Sequence, residues 1–398
     1  MSSTARIAPR ALPNPKMLRA ISMFTMNALR LAPSFAKYLA LLLLVLNAGS
    51  WPLVWHLRVF APVFKLRAQH RLLKIRHAFS SKKQRELALD RWYESKMPIG
   101  EHPFRKVLTY RSWASLDDSD FNLHMSNSSY AKALDAARFR LALDTFPSIF
   151  RAGGWVPLAA THYHFIREIP MLSKYEIRAS IGAWDEKWIW FIQRFVTHPK
   201  KGKKSAKSRT AAEVKPESMP AESFTASLKT PGSALLTPGL TSGQATPSPE
   251  DVAKALLASA AAALEEEDGA ILHTISVSQC CFKQGRITVP PAIVLASNGF
   301  YAPPPSSPSF PSTSSSTSSS PTTTNPTTPP HWPHVRALAS TPAGGSMRAL
   351  RDFYAGGWRA VPVAERWWED AFAGLEGELR ERAGRAVEKN KSARLPEN

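Results

Sequence analysis

Two cysteines in 398 residues, Cys280 and Cys281, adjacent to each other, leave no disulfide framework and no ligand spacing for a structural zinc. Acidic side chains are missing altogether from residues 1–85, which hold fifteen Lys and Arg, so most of the net charge of +20 sits at the N-terminal end. A block of this kind points to a targeting signal, an anionic lipid surface or nucleic acid. Zinc-finger spacing, RNP-like aromatic stretches and recognition-helix patterns are all lacking, so no nucleic-acid partner is expected. His162 and His164 share one face of a strand but have no third ligand nearby; no metal and no cofactor are expected.

Charge is also absent from Tyr38 to Leu57, YLALLLLVLNAGSWPLVWHL, if His56 is neutral. Twenty such positions are long enough for a single-pass transmembrane helix, with Trp51 and Trp55 as interfacial anchors; Pro52 and Asn47–Ser50 weaken it, and a buried or interfacial helix is the alternative. The leader, residues 1–37, is basic and acid-free, which also matches a mitochondrial presequence. A membrane location follows, in the endoplasmic reticulum or the mitochondrion. The denser basic flank, Arg58 to Arg71 within the juxtamembrane segment 58–97, favours a soluble domain on the cytoplasmic side.

Regular alternation begins at Phe104, FRKVLTYRSW, and returns in 157–169, 174–184, 187–197 and 271–282, giving strands, with Asp185-Glu186 as a tight turn. Trp188 to Val196 is apolar on both faces, as in a strand covered from both sides. Between the first two strands Tyr130, Ala133, Leu134, Ala137 and Leu141 fall on one helical face, with Ser126, Asn127 and Ser128 as candidate N-caps. Pro290-Pro291 opens a short helix stopped by Gly299. Residues 199–269 form a low-complexity insertion in which Ser248-Pro249-Glu250-Asp251 starts an Ala-rich helix whose acidic end, Glu265–Glu267, should fray. Pro303 to Pro330 is a disordered Ser/Thr/Pro spacer (the linker taken as 301–334), and 335–398 is a helical segment, with Trp368, Phe372, Leu375 and Leu379 on one face of a helix over 362–389. Only about 130–150 residues look able to build one packed core.

The richest chemistry lies in Asp118-Ser-Asp120-Phe-Asn-Leu-His124-Met-Ser-Asn127-Ser-Ser-Tyr130, running on to Asp135 and Arg138. A carboxylate just before a helix N-terminus can act as base or nucleophile while the free N–H groups of the first turn meet an oxyanion. The structural alternatives are a turn-forming Asp120, a capping Asn127, a structural His124 and a local Asp135–Arg138 ion pair.

The spacing D-x-D-x-x-x-H-M-x-N-x-x-Y-x-x-x-x-D-x-A-R resembles the hotdog-fold acyl-CoA thioesterase superfamily of the 4-hydroxybenzoyl-CoA thioesterase type, closest to its membrane-anchored branch. The resemblance covers roughly a third of the chain. It implies an α+β hotdog fold over residues 98–300, an antiparallel sheet wrapped around one long helix, and a homodimer joined sheet edge to sheet edge with the active site between protomers. It implies Asp120, His124 and Asn127 as catalytic, Tyr130, Asp118 and Ser128 as substrate-binding, and an acyl-CoA or acyl-carrier thioester as substrate; the Lys200–Lys207 run is expected to be a solvated basic loop, with contact to the CoA phosphates as the alternative. This chain departs from the family pattern at Leu123, where Gly is usual, and at Ser126, where Asn is usual. The expected function is a membrane-anchored acyl-CoA thioesterase of lipid metabolism. The alternative is a non-catalytic acyl-binding or scaffold protein that keeps the fold, and a hotdog dehydratase is a third reading that the offset of Asp135 disfavours.

Overall fold

The computed structural model describes residues 15–199, 227–229, 248–262, 266, 268–303, 328–375, 377–379 and 382. Strands β1 (Val107–Trp113), β2 (Leu158–Phe165), β3 (Lys174–Trp184), β4 (Ile189–Thr197), β5 (Ser227–Lys229) and β6 (Ile271–Cys280) form one antiparallel sheet in the order β1-β3-β4-β6-β2-β5. β3 and β4 make the expected hairpin. The turn is closed by Asp185, whose Oδ1 accepts the backbone N–H groups of Lys187 at 2.7 Å and Trp188 at 2.5 Å. β6 pairs β4 from Thr197↔Ile271 to Ile189↔Cys280, so the ends of the insertion meet on neighbouring strands. Closure entropy grows only logarithmically with loop length, and the sheet tolerates the interruption. A small hairpin, β7 (Phe282–Gln284) with β8 (Ile287–Val289), and the short helix α7 (Pro291–Ser297) follow.

Helix α4 (Asn127–Thr145) lies across one face of the sheet. Its residues Tyr130, Ala133, Leu134, Ala137 and Leu141, at i, i+3, i+4, i+7 and i+11, are all buried, as their spacing predicts. The opposite face is covered by α6 (Pro249–Ala262). Ser248 caps this helix, accepting from the Asp251 N–H at 3.2 Å, while Val252, Leu256 and Leu257 pack on Ile275, Val277 and Trp190. Glycine at 182 is required here: a Cβ would stand 2.9 Å from Ile192 and 3.2 Å from Leu256. Part of the insertion is therefore a layer of the fold. After it, Glu266 and Asp268 pair with the sheet. Glu266 reaches Arg178 at 2.8 Å and Arg194 at 2.6 Å, and Asp268 also pairs with Arg178, which holds the Asp268 carboxyl down at about 2. Leu256→Ala is expected to lower global stability by about 2–5 kcal/mol in denaturant unfolding, since it opens a cavity against β-strand side chains; a change within 0.5 kcal/mol would mean that α6 does not close the sheet.

The C-terminal segment adds to the core more than its composition suggests. α8 (Trp332–Ala339), α9 (Met347–Tyr354) and α10 (Trp367–Asp370) bury Trp332, Leu350, Tyr354, Trp367 and Trp368 in the same cluster as Phe146, Phe282 and Phe300. The continuous helix expected over 362–389 is broken into short turns, at Val363–Glu365, Trp367–Asp370 and Ala373–Leu375. Gly374 and Gly377 lower helix propensity, and the Ala302 N–H bonds the Ala371 carbonyl at 3.0 Å, diverting the chain to tertiary partners. Trp368, Phe372 and Leu375 are buried as the pattern requires. Residues 304–327, the bulk of the Ser/Thr/Pro spacer, and most of the low-complexity insertion lie outside the described residues.

The expected transmembrane helix is corrected. α1 (Pro15–Leu46) ends inside the Tyr38–Leu57 run, a 3-10 turn occupies Ala48–Ser50, Leu53 adopts φ 68°, and α2 (Val54–Arg76) starts anew. Tyr38 to Leu46 in helical form rises only about 14 Å, against about 30 Å of bilayer hydrocarbon. Among the described residues no helix is long and apolar enough to cross a membrane. The break is held by Trp51 Nε1 donating to the Leu44 carbonyl at 3.0 Å and Ser50 Oγ donating to Asp117 Oδ2 at 2.8 Å. α2 then packs on α4 and on α3 (Lys82–Glu94), which begins with a capping box between Ser81 and Gln84.

Candidate active site

The segment between β1 and α4 is a tight loop laced to residues 169–173. Met125 N–H donates to the Ile169 carbonyl at 2.8 Å, Met171 N–H to Leu123 at 2.9 Å and Leu172 N–H to Ala114 at 2.7 Å. Within the loop Asp120 N–H donates to the His124 carbonyl at 2.9 Å, and Asp120 Oδ1 accepts the Asn122 N–H at 2.9 Å. Asp120 is half-buried and spends one carboxylate oxygen on the turn. The turn requires φ 63° at Leu123, a left-handed conformation that suits glycine; the leucine side chain itself is 60% exposed. Leu123→Gly is expected to raise stability by about 0.5–1 kcal/mol in a chemical melt, because relief of the left-handed strain outweighs the entropy gained by the unfolded chain. A destabilised variant would contradict that conformation.

His124 places Nδ1 2.9 Å from Glu168 Oε2, a close contact without hydrogen-bond geometry. Ser126 stands at the N-cap position of α4, but its Oγ turns to Ser129 Oγ at 2.8 Å and Ser128 Oγ at 3.2 Å and accepts no backbone N–H. The first-turn amides are thereby left without a side-chain acceptor. Asn127 is the first helical residue, exposed, and is not the cap; Ser128 is exposed beside it.

Two of the residues expected to contact substrate are buried and already partnered. Asp118 is buried, its Oδ2 accepting from Ser115 Oγ at 2.7 Å and its Oδ1 from Lys132 Nζ at 2.9 Å, while its carbonyl takes the Ser126 N–H at 2.9 Å. It ties the loop to the helix. The neighbouring Asp117 lies 3.4 Å from Lys132; burial works to raise its pKa, but its hydrogen bonds and the Lys132 ammonium outweigh that and hold it below the usual carboxylate range. Tyr130 is 1% exposed and meets Phe165 and Phe195 edge to face, so it packs α4 on the sheet and offers no hydroxyl to a ligand at the surface.

Asp135 and Arg138 do form the expected ion pair, at 2.6 Å, but Arg138 also crosses to the sheet, donating from Nη1 to Thr161 Oγ1 at 3.0 Å and Ser278 Oγ at 3.2 Å. Both residues line a cavity of about 390 Å³, walled by Trp155, Leu158, Phe191 and Cys280. The apolar character of those walls, read strand by strand, was legible; their convergence on α4 was not. Burial pushes the Cys280 thiol up to about 12, so it is no nucleophile at neutral pH. Among the described residues no group of three or more His, Cys, Asp or Glu is placed to hold a metal.

An antiparallel sheet with a long helix laid on one face, and a carboxylate-bearing loop at the start of that helix, define the class. Residues 114–256 match the family described as the Thioesterase-like superfamily. The Saccharomyces cerevisiae protein described as "Probable thioesterase YBR096W" is 35% identical over 21% of this chain and 38% of its own length. Thioesterase lcsJ of Purpureocillium lilacinum is 25% identical over 39% of this chain and 58% of its own. Protein THEM6 of Danio rerio is 35% identical over 24% of this chain and 50% of its own. The chain thus matches well under two thirds of the length of these relatives. Among solved structures, BH1999 gentisyl-coenzyme A thioesterase is 18% identical with a TM-score of 0.21, covering 23% of this chain and 78% of that one. A Staphylococcus aureus hypothetical protein described in complex with CoA is 8% identical with a TM-score of 0.28, covering 50% and 85%.

Proposed function

We propose that the protein hydrolyses a long-chain acyl thioester carried by CoA or an acyl-carrier protein. The observation that carries the reading is the open first turn of α4, following directly on the Asp120–His124 loop. Asp120 uses Oδ2, the oxygen not committed to its turn, to deprotonate water or to attack the thioester carbonyl; the free amides at Asn127 and Ser128 receive the oxyanion. His124 contacts the substrate beside them. The acyl chain runs toward the apolar cavity along α4, where Asp135 and Arg138 stand at the wall. A panel of acyl-CoAs of increasing chain length, followed by release of free thiol from the purified full chain, tests this: a turnover that rises with chain length supports it, and no thiol release from any member removes it.

A second reading, an acyl-binding protein without turnover, is favoured by one specific observation. Asp120 Oδ1 is already engaged and Leu123 projects a side chain where the backbone turn would suit glycine. Saturable acyl-CoA binding without thiol release identifies that case.

The N-terminal helix supports attachment to a membrane surface, at the endoplasmic reticulum or the mitochondrion, without a span. Phe24, Leu31, Phe35 and Leu41–Val45 of α1 are exposed, and the surrounding sequence is basic and acid-free. Removal of residues 1–46 is expected to weaken sedimentation with phosphatidylserine vesicles at least tenfold; undiminished sedimentation would place the lipid contact elsewhere. A homodimer is proposed through the sheet edge, because among the described residues β5 pairs with β2 at Ala160–His162 and no further. Sedimentation equilibrium of the full chain as a monomer at micromolar concentration would exclude it.

A further inference from the structure

A second cavity, of about 820 Å³, opens between α2, α3 and α5 (Pro147–Arg151), with part of α4 in its wall. It has two chemically different ends. At one, Phe60 meets Phe139 edge to face at 5.5 Å and Phe139 meets Phe150 at 6.2 Å, with Val63, Phe64 and Leu143 completing an apolar wall. At the other, Arg151 lies over the Tyr93 ring at 3.3 Å, Trp92 packs edge to face on Tyr93 at 4.9 Å, and Lys96 stands 5.9 Å above Trp92. Arg67 adds a third cation to the lining.

The charge is unbalanced. Among the described residues neither Arg67, Lys96 nor Arg151 makes an ion pair, and the one carboxylate in the wall, Asp144, is taken by Arg140 at 3.6 Å. Burial weakens the hold of half-buried Arg151 on its proton even with the Tyr93 hydroxyl and the Asp90 carboxylate acting the other way, and it pushes His70 beside it toward the neutral form. Three cations at the aromatic end of an apolar cavity of ligand size call for an anionic head on an apolar tail.

We propose that this cavity binds one long-chain fatty carboxylate, its tail along Phe60, Phe64 and Phe150 and its carboxylate at Arg151, Lys96 and Arg67. The site is separate from the Asp120 loop and does not depend on thioester hydrolysis. It makes no covalent change to its ligand.

The test is equilibrium binding of palmitate below its micellar concentration to the full chain, beside hexadecanol and lysophosphatidate, with a brominated fatty acid as quencher of Trp92. Palmitate is expected to saturate one site and hexadecanol to bind at least tenfold more weakly. Arg151→Met is expected to weaken palmitate at least tenfold with hexadecanol unchanged. Because Arg151 packs on Tyr93 and its loss can unsettle the fold, Lys96→Met at the exposed rim serves as a second charge variant with the same direction of effect. Phe64→Ala should weaken both ligands, and Trp92→Phe should abolish most of the bromine quenching. Equal binding of palmitate and hexadecanol, tighter binding of lysophosphatidate than of palmitate, quenching that survives Trp92→Phe, or no saturable palmitate site would each overturn the proposal.

Discussion

Between pH 7 and pH 5 the folded state loses about 2 kcal/mol through His331 alone, and His331→Gln removes that dependence. His331 is 4% exposed, lies nearly parallel to the Trp367 ring at 5.9 Å, and has Nε2 3.1 Å from the Ala296 carbonyl, while Nδ1 is buried without a partner. A second proton would sit on Nδ1 facing no acceptor, and burial accordingly drives the pKa down to about 4. The native state therefore refuses a proton that the unfolded chain accepts below about 6.5, so stability falls as pH drops through the window between about 6.5 and 4, at about 1.4 kcal/mol per pH unit. His273 is shifted the same way by burial and leaves a shallower slope behind in the variant. Urea unfolding at a series of pH values measures it. Parallel curves for the wild type and His331→Gln would contradict the buried, half-satisfied imidazole.

The strands and α4 were legible because each carries a period that only one element satisfies. Tyr130, Ala133, Leu134, Ala137 and Leu141 repeat at helical spacing, and β4 is apolar on both faces because helices cover both, with Trp190 toward α6 and Phe191 and Phe195 toward α4. α6 was visible as a helix but not as a wall of the core: an Ala-rich stretch inside a Lys, Ser, Thr and Pro region has the composition of a surface insertion, and only the sheet face it meets gives Val252, Leu256 and Leu257 their role. Trp368, Phe372 and Leu375 are buried, yet packing against α7 replaced the long helix, and with it the single helical face, with short turns. The apolar run Tyr38–Leu57 misled for a simpler reason. Hydropathy sums over residues regardless of the backbone break at Asn47–Leu53, which Ser50 and Trp51 stabilise with side-chain hydrogen bonds that no window average registers.

At the site, sequence spacing brought Asp118, Asp120, His124 and Asn127 into one loop but could not divide the work among them. Burial did. Asp118 and Tyr130 were absorbed by Lys132 and by the aromatic core, whereas Asp120, His124, Asn127 and Ser128 stay accessible at the opening of α4. The cavity lined by Asp135 and Arg138, and the cationic cavity under Arg151, depend on α2 and α5 folding back on α4, a tertiary fact without a sequence motif.

Asp120→Asn is the substitution with the largest expected effect on activity, a fall in kcat of about 10²–10⁴-fold, the range of a lost general base. The amide preserves the turn, since its oxygen still accepts the Asn122 N–H, so stability should change by less than about 1 kcal/mol while the capacity to take a proton or attack a carbonyl disappears. Asp135→Asn, in contrast, removes a carboxylate that only braces Arg138 at the cavity wall, and is expected to alter KM more than kcat.

Free-thiol release from palmitoyl-CoA by the wild type, Asp120→Asn and Asp135→Asn, measured side by side at matched folded fractions, is the most direct test of an acid poised at the first turn of α4. Turnover present in the wild type, reduced at least 100-fold in Asp120→Asn and largely kept in kcat by Asp135→Asn is the predicted result. Wild-type turnover carried over unchanged into Asp120→Asn would contradict the account.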